Sequence, residues 1–165
     1  MINFWKTIVW PQFGASIEML ENAMRACPED LWADRAQKPE FWYVAFHTLF
    51  FLDFYLSETE KGFTPPAPYN LDELDPAGLM PPYPYSKSEL LAYLDHGRKK
   101  CRTVIEELTD QKADQRCGFE WLDLSVGELL LYNMRHVQHH AAQLNLILRQ
   151  KTDSAPRWIR TATAG

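Results

Sequence analysis

Five histidines punctuate the chain, and the spacing of three of them is the part of the sequence that could do chemistry. His136 and His140 are four residues apart, so on an α-helix their imidazoles stand one above the other on one face. With His136 at zero on a helical wheel, Leu129, Val126, Leu144, Val137, Leu130 and Leu148 form an apolar arc centred near ~80°. His140 falls inside that arc at ~40°, His136 sits on its edge, and His139 points away at about −60°. His47 lies in an earlier apolar segment, with Tyr43, Val44, Phe51 and Phe54 close to its direction. Three inward imidazoles from two helices could hold one divalent metal through nitrogen, with zinc, nickel and iron the suitable ions, and leave a position open for water or substrate. The plainer reading is that each histidine is a hydrogen-bonded core residue. The residues between the pair are Val137, Gln138 and His139, so the glutamate of a metalloprotease HExxH motif is absent.

Four segments carry helical periodicity and must place these rings. They run over about 11–26, 39–57, 86–108 and 125–150. The third opens on Ser-Lys-Ser-Glu at Ser86 and the fourth on Ser-Val-Gly-Glu at Ser125, both capping boxes with glutamate three residues after the cap. Pro28 stops the first segment, and Gly62 followed by Pro65 and Pro66 stops the second. The aromatic run Phe41-Trp42-Tyr43-Val44 suits a strand in isolation, but the apolar stretch is too long for one and favours a buried helix. Four long helices predict an all-α four-helix bundle. The linker over 62–85 holds most of the prolines and is too long for a hairpin turn, so it should cross the bundle or form a lid. A loosely held tail is expected over 152–165, pinned in part by Trp158 and Ile159.

Composition narrows the function classes. A chain of 165 residues fits one domain spanning 1–165, with a core large enough to fold without disulfides. Net charge is −5, which argues against a general nucleic-acid binder, since phosphate binding needs clustered Lys and Arg. Three dispersed cysteines, Cys27, Cys101 and Cys117, with no CxxC pair favour a reducing, cytoplasmic setting over a disulfide framework. No secretory leader and no membrane span of ~20 apolar residues is legible.

Two stretches resemble the DinB/YfiT-like superfamily of metal-binding four-helix proteins. They are Glu40 to Asp53, which carries His47, and Asn133 to Leu144, which carries His136 and His140; Ser125-Val-Gly-Glu-Leu-Leu also fits. The resemblance implies an up-down-down-up bundle with its long crossover between the second and third helices. It also implies His47, His136 and His140 as the metal ligands, and a homodimer. Some members of that superfamily are thiol-dependent transferases or isomerases, so a small thiol or other small molecule is the implied partner, with no nucleic acid and no membrane. A metal held by neutral ligands keeps its charge and can acidify water or hold a thiolate, which suits thiol S-transfer or hydrolysis. A non-catalytic, stress-associated dimer with a structural metal site is the alternative from another class, and histidines that merely pack are the third.

The remaining features read as structural. Tyr43 and Glu40 share the face of His47 and are assigned no catalytic role. Cys101 reads as a small buried hydrophobe, whereas Cys117, in a loop beside Arg116, is the cysteine better placed for reactivity. The basic run from His96 to Arg102 reads as a solvated face. Asp72, Glu73 and Asp75 lack calcium-loop spacing, and neither His139 nor the 62–85 linker receives a role.

Overall fold

The computed structural model describes residues 5–163, so the first four residues of the N-terminal stretch and the last two of the tail lie outside it. Among the described residues there are six α-helices and no strand. They are α1 (Trp10–Ala26), α2 (Glu29–Trp32), α3 (Phe41–Tyr55), α4 (Lys87–Glu107), α5 (Asp110–Ala113) and α6 (Val126–Thr152), with a π-helical turn at Trp5–Val9 and a 3-10 turn at Asp72–Leu74. The four long helices are those expected from the sequence, while the single turns α2 and α5 carry too few residues for a periodic signal. None of the helices is long and apolar enough to cross a membrane.

Local chemistry explains where α4 and α6 begin. Ser86 Oγ accepts from the Glu89 amide while Glu89 Oε2 accepts from the Ser86 amide, and Ser125 and Glu128 repeat the exchange. Each box satisfies two amides that the first helical turn leaves without partners. Asp153, in the left-handed conformation, closes α6 by donating its amide to the Arg149 carbonyl.

Helix α3 is apolar around its whole circumference, with twelve of its fifteen residues buried, and such a helix must be covered on every side. Helices α4 and α6 flank it, α1 packs on both of those, and one continuous apolar cluster fills the interior. The 62–85 linker covers part of what remains. Phe63 and Tyr69 are buried, Tyr69 stacks on Tyr93 at 4.2 Å between ring centroids, and Tyr85 packs on Phe46 at 4.9 Å. Tyr69 Oη donates to the Glu89 carbonyl at 2.8 Å, and Trp32 Nε1 donates to the Tyr85 carbonyl at 2.9 Å.

Three expectations are corrected. The basic run is a solvated face only in part: Lys99 is exposed, but Lys100 reaches the buried Asp53, Arg98 pairs with Glu21, and the Arg102 guanidinium lies 5.4 Å from the Trp10 ring. Cys117 is buried, its thiol facing the Leu122 carbonyl at 3.7 Å, and Arg116 turns away to Asp123. Among the described residues, the end of the tail is hydrogen-bonded to α1. Ala162 donates its amide to the Pro11 carbonyl at 2.8 Å, and Thr163 donates amide and hydroxyl to Glu18. Ile159 packs against the core, whereas Trp158 is 65% exposed.

Candidate metal centre

Contact between α3 and α6 brings His47 against His136 and His140, although 89 residues separate His47 from His136. The Nε2 atoms of His136 and His140 lie 3.1 Å apart, and those of His136 and His47 lie 3.4 Å apart. His139 faces outward, as its wheel position indicated, and accepts from the Gln143 amide at 3.2 Å.

The outer ring nitrogens decide what the inner ones can do. His47 Nδ1 lies 2.5 Å from Glu73 Oε1, and an ionised carboxylate only accepts, so the imidazole donates there. His140 Nδ1 donates to Gln143 Oε1 at 2.7 Å in the same way. In the neutral form, each of these rings therefore presents a bare lone pair at Nε2 toward His136. His136 Nε2 carries at most one proton, so it can satisfy one of those neighbours and never both. Its own Nδ1 is buried without a hydrogen-bond partner among the described residues. A cation at the centre removes this conflict, since all three Nε2 atoms then donate lone pairs and His136 keeps its proton on Nδ1.

The spacing fits such an ion. Nitrogens 2.0–2.1 Å from a tetrahedral zinc are about 3.3–3.4 Å apart, close to the two separations observed. His47, His136 and His140 form the group with metal-ligating capacity among the described residues, one candidate ligand atom from each lying within 4.8 Å of the others. Burial, reinforced by the neighbouring histidines, pushes the His136 pKa down to about 3. Burial likewise brings His140 down to about 4, against the hydrogen bond it donates to Gln143, which favours its charged form. Both rings are neutral near pH 7, the state in which imidazole ligates.

The sequence profile of the DinB superfamily matches residues 12–144, which includes all three histidines and the linker. The chain belongs to the DinB superfamily. No curated protein and no solved structure shows a significant match to it. This DinB-superfamily chain thus has a three-histidine group compatible with a metal site, at the positions its sequence indicated.

Its surroundings contain a residue set aside in the sequence for want of calcium-loop spacing. Glu73 stands in the 3-10 turn of the linker, and its side chain is only 3% exposed. Asn70 holds that turn, accepting from the Asp72 amide at 3.0 Å and donating to the Asp72 carboxylate at 2.8 Å. Tyr43 Oη donates to the Glu73 carboxylate at 3.2 Å. Burial and the nearby carboxylate push the Tyr43 pKa up to about 12, so the phenol stays protonated and keeps donating. Glu40 is buried but faces elsewhere, accepting from Trp42 Nε1 and Lys38 Nζ. On α6, Tyr132, Arg135, Gln138, His139 and Ala142 join His136 in lining an open cleft of about 580 Å³.

Proposed function

We propose that this DinB-superfamily protein is a divalent-metal-dependent enzyme of the thiol S-transferase or hydrolase type, with His47, His136 and His140 holding the ion. The observation that carries the proposal is the convergence of three Nε2 atoms that, in neutral rings, cannot all find a hydrogen-bond partner among themselves and that a cation would satisfy together. Within it, the four long helices form the up-down-down-up bundle, with the proline-rich linker as the crossover. The ring of contacts among α1, α4, α3 and α6 supports that arrangement.

A divalent ion bound here supplies Lewis acidity, making a thiol or a water acidic enough to act as a nucleophile near pH 7. The chain's own residues do the rest. His136 and His140, held neutral by burial, stay available as donors at physiological pH. Gln143 orients His140 through Nδ1. The cleft beside His136 offers room for a small molecule, with the Arg135 guanidinium and the Tyr132 ring on its walls. The His47 side chain is 29% exposed, and a triad not sealed from solvent favours catalysis over a purely structural ion, whose site would be closed.

Elemental analysis of protein purified without chelators tests the ligand set, comparing wild type with the double variant His136→Ala, His140→Ala. The expected result is close to one zinc, nickel or iron per wild-type chain and none in the variant. Equal metal in both proteins, or none in wild type after incubation with each ion, refutes it. Turnover of thiol plus electrophile, or of an ester, by loaded wild type alone then separates the enzyme from a structural site.

A further inference from the structure

We infer that Glu73 is a positioning residue of the histidine triad, brought to it by the linker between α3 and α4. This rests on the proposed metal site and extends it from two helices to a third, non-helical part of the chain. The carboxylate reaches His47 Nδ1 at 2.5 Å and selects the tautomer whose Nε2 is bare. It also fixes the direction of the ring, because rotation about the side chain breaks the bond. Both effects point His47 Nε2 into the space it shares with His136 and His140. An anion on the far nitrogen also makes an imidazole a stronger donor to a cation.

Burial supplies the second argument. Removing a carboxylate from water is costly unless a cation or a full set of donors compensates. The Glu73 side chain is 3% exposed, and its partners are the His47 imidazole and the Tyr43 hydroxyl. No Lys or Arg among the described residues forms an ion pair with it. A divalent ion held by His47, His136 and His140 would supply positive charge beyond that ring. The linker has attachments besides Glu73: Tyr69 stacks on Tyr93, Tyr85 packs on Phe46, and the Tyr69–Glu89 and Trp32–Tyr85 hydrogen bonds tie both to the bundle. The buried carboxylate is thus explained by its neighbour and not by the loop that carries it.

The consequence is reciprocal linkage. If Glu73 strengthens metal binding by holding His47, then bound metal holds Glu73, and with it the turn 72–74, against the bundle by the same factor. The exposed stretch that follows, including Leu79, Met80 and Tyr83, is then tethered more firmly in the metal-loaded protein.

The test measures zinc affinity by competition with a chromophoric chelator for wild type, Glu73→Gln, Glu73→Ala and His136→Ala. Thermal unfolding of each metal-free protein and the rate of linker cleavage by a protease, with and without zinc, complete the set. The expected result is zinc binding weakened about 10–100-fold in Glu73→Ala. Glu73→Gln should lose less, because its amide oxygen still accepts from Nδ1. Metal-free Glu73→Ala should melt no lower than metal-free wild type, since a buried anion without a cation has been removed. Zinc should slow linker cleavage in wild type and not in Glu73→Ala.

Wild-type zinc affinity in Glu73→Ala overturns the inference and leaves the metal site standing. A loss as complete as that of His136→Ala also overturns it, because Glu73 is then a ligand. Unchanged affinity with a lowered metal-free melting point assigns Glu73 to loop structure alone. If wild type binds no zinc, the metal reading and the inference fall together.

Discussion

Replacing Lys100 by Met should destabilise the protein more than replacing its partner Asp53 by Asn. Asp53 stands on α3 with its side chain 1% exposed, and its Oδ1 accepts from Lys100 Nζ at 2.5 Å. Tyr93 Oη donates to Oδ2 at 3.1 Å, and His96 Nε2 lies 3.4 Å from Oδ1. Lys100→Met leaves an ionised carboxylate in the interior without its counter-ion, which costs about 3–5 kcal/mol. Asp53→Asn leaves the charge on Lys100 instead, whose side chain is 28% exposed. That ammonium can hydrate, and it keeps Ser57 Oγ at 2.7 Å and the Asp53 carbonyl at 3.0 Å. The asparagine amide can still bond to the Tyr93 hydroxyl, so the loss should be about 1–3 kcal/mol. Urea unfolding followed by circular dichroism reads both, taken as the shift in midpoint at a common slope. Combining the two substitutions should cost less than their sum, since neither charge is then left behind. The reasoning fails if Asp53→Asn costs as much as Lys100→Met, or if both stay within about 0.5 kcal/mol of wild type, the range of an exposed pair.

Three further outcomes follow from geometry already described. Zinc at one hundred times its dissociation constant should stabilise the fold by about 2.7 kcal/mol and raise the melting point by roughly 5–11 °C. The His136→Ala, His140→Ala protein should show no such rise in differential scanning calorimetry; an equal rise in both would place the ion elsewhere. In the metal-free protein, His136 and His140 titrate at about 3 and 4 against 6.5 when unfolded, so the unfolded chain binds more protons below pH 6.5. Their contribution is complete above pH 6.5 and is lost progressively down to about pH 3; the double alanine variant should lose less over that window, and parallel stability curves would contradict the assigned burial. A methyl group added at Gly14 lies 2.7 Å from the Ala162 side chain, so Gly14→Ala should lift the tail from α1 and speed its removal by carboxypeptidase. The helix itself gains up to about 1 kcal/mol from the change, so overall stability should fall little, and an unchanged digestion rate would show that the tail shifts without leaving.

Legibility followed the range of the interactions. The starts of α4 and α6 depend on side chains three residues from the amides they cap, and both were readable from Ser86 with Glu89 and Ser125 with Glu128. The meeting of His47 with His136 and His140 was readable because helical periodicity marks an inward face before any partner is known. Glu73 was not readable, because a 3-10 turn has no periodicity and its position depends on Tyr69 and Tyr85 packing on remote helices. Lys100 misled for a related reason. A basic run on an amphipathic helix normally faces water, and the buried acid that draws Lys100 inward lies on α3 amid residues that otherwise read as pure core. Cys117 looked reactive from its neighbour in sequence, but the Arg116 side chain is engaged by Asp123 across a turn that local spacing does not reveal.

The all-round apolar surface of α3 has a consequence for how the molecule is made. Synthesis delivers α3 long before residues 126–152 exist, so during elongation the helix has α1 beside it in sequence but neither α4 nor α6 to cover it. A nascent chain at that stage exposes Phe, Leu and Val side chains that are buried later, the condition under which chaperones bind and incomplete chains aggregate. Fragments ending before α6 should therefore collect in inclusion bodies. For the same reason His47 meets His136 and His140 only after α6 has docked, so any ion they hold would be taken up by the finished fold.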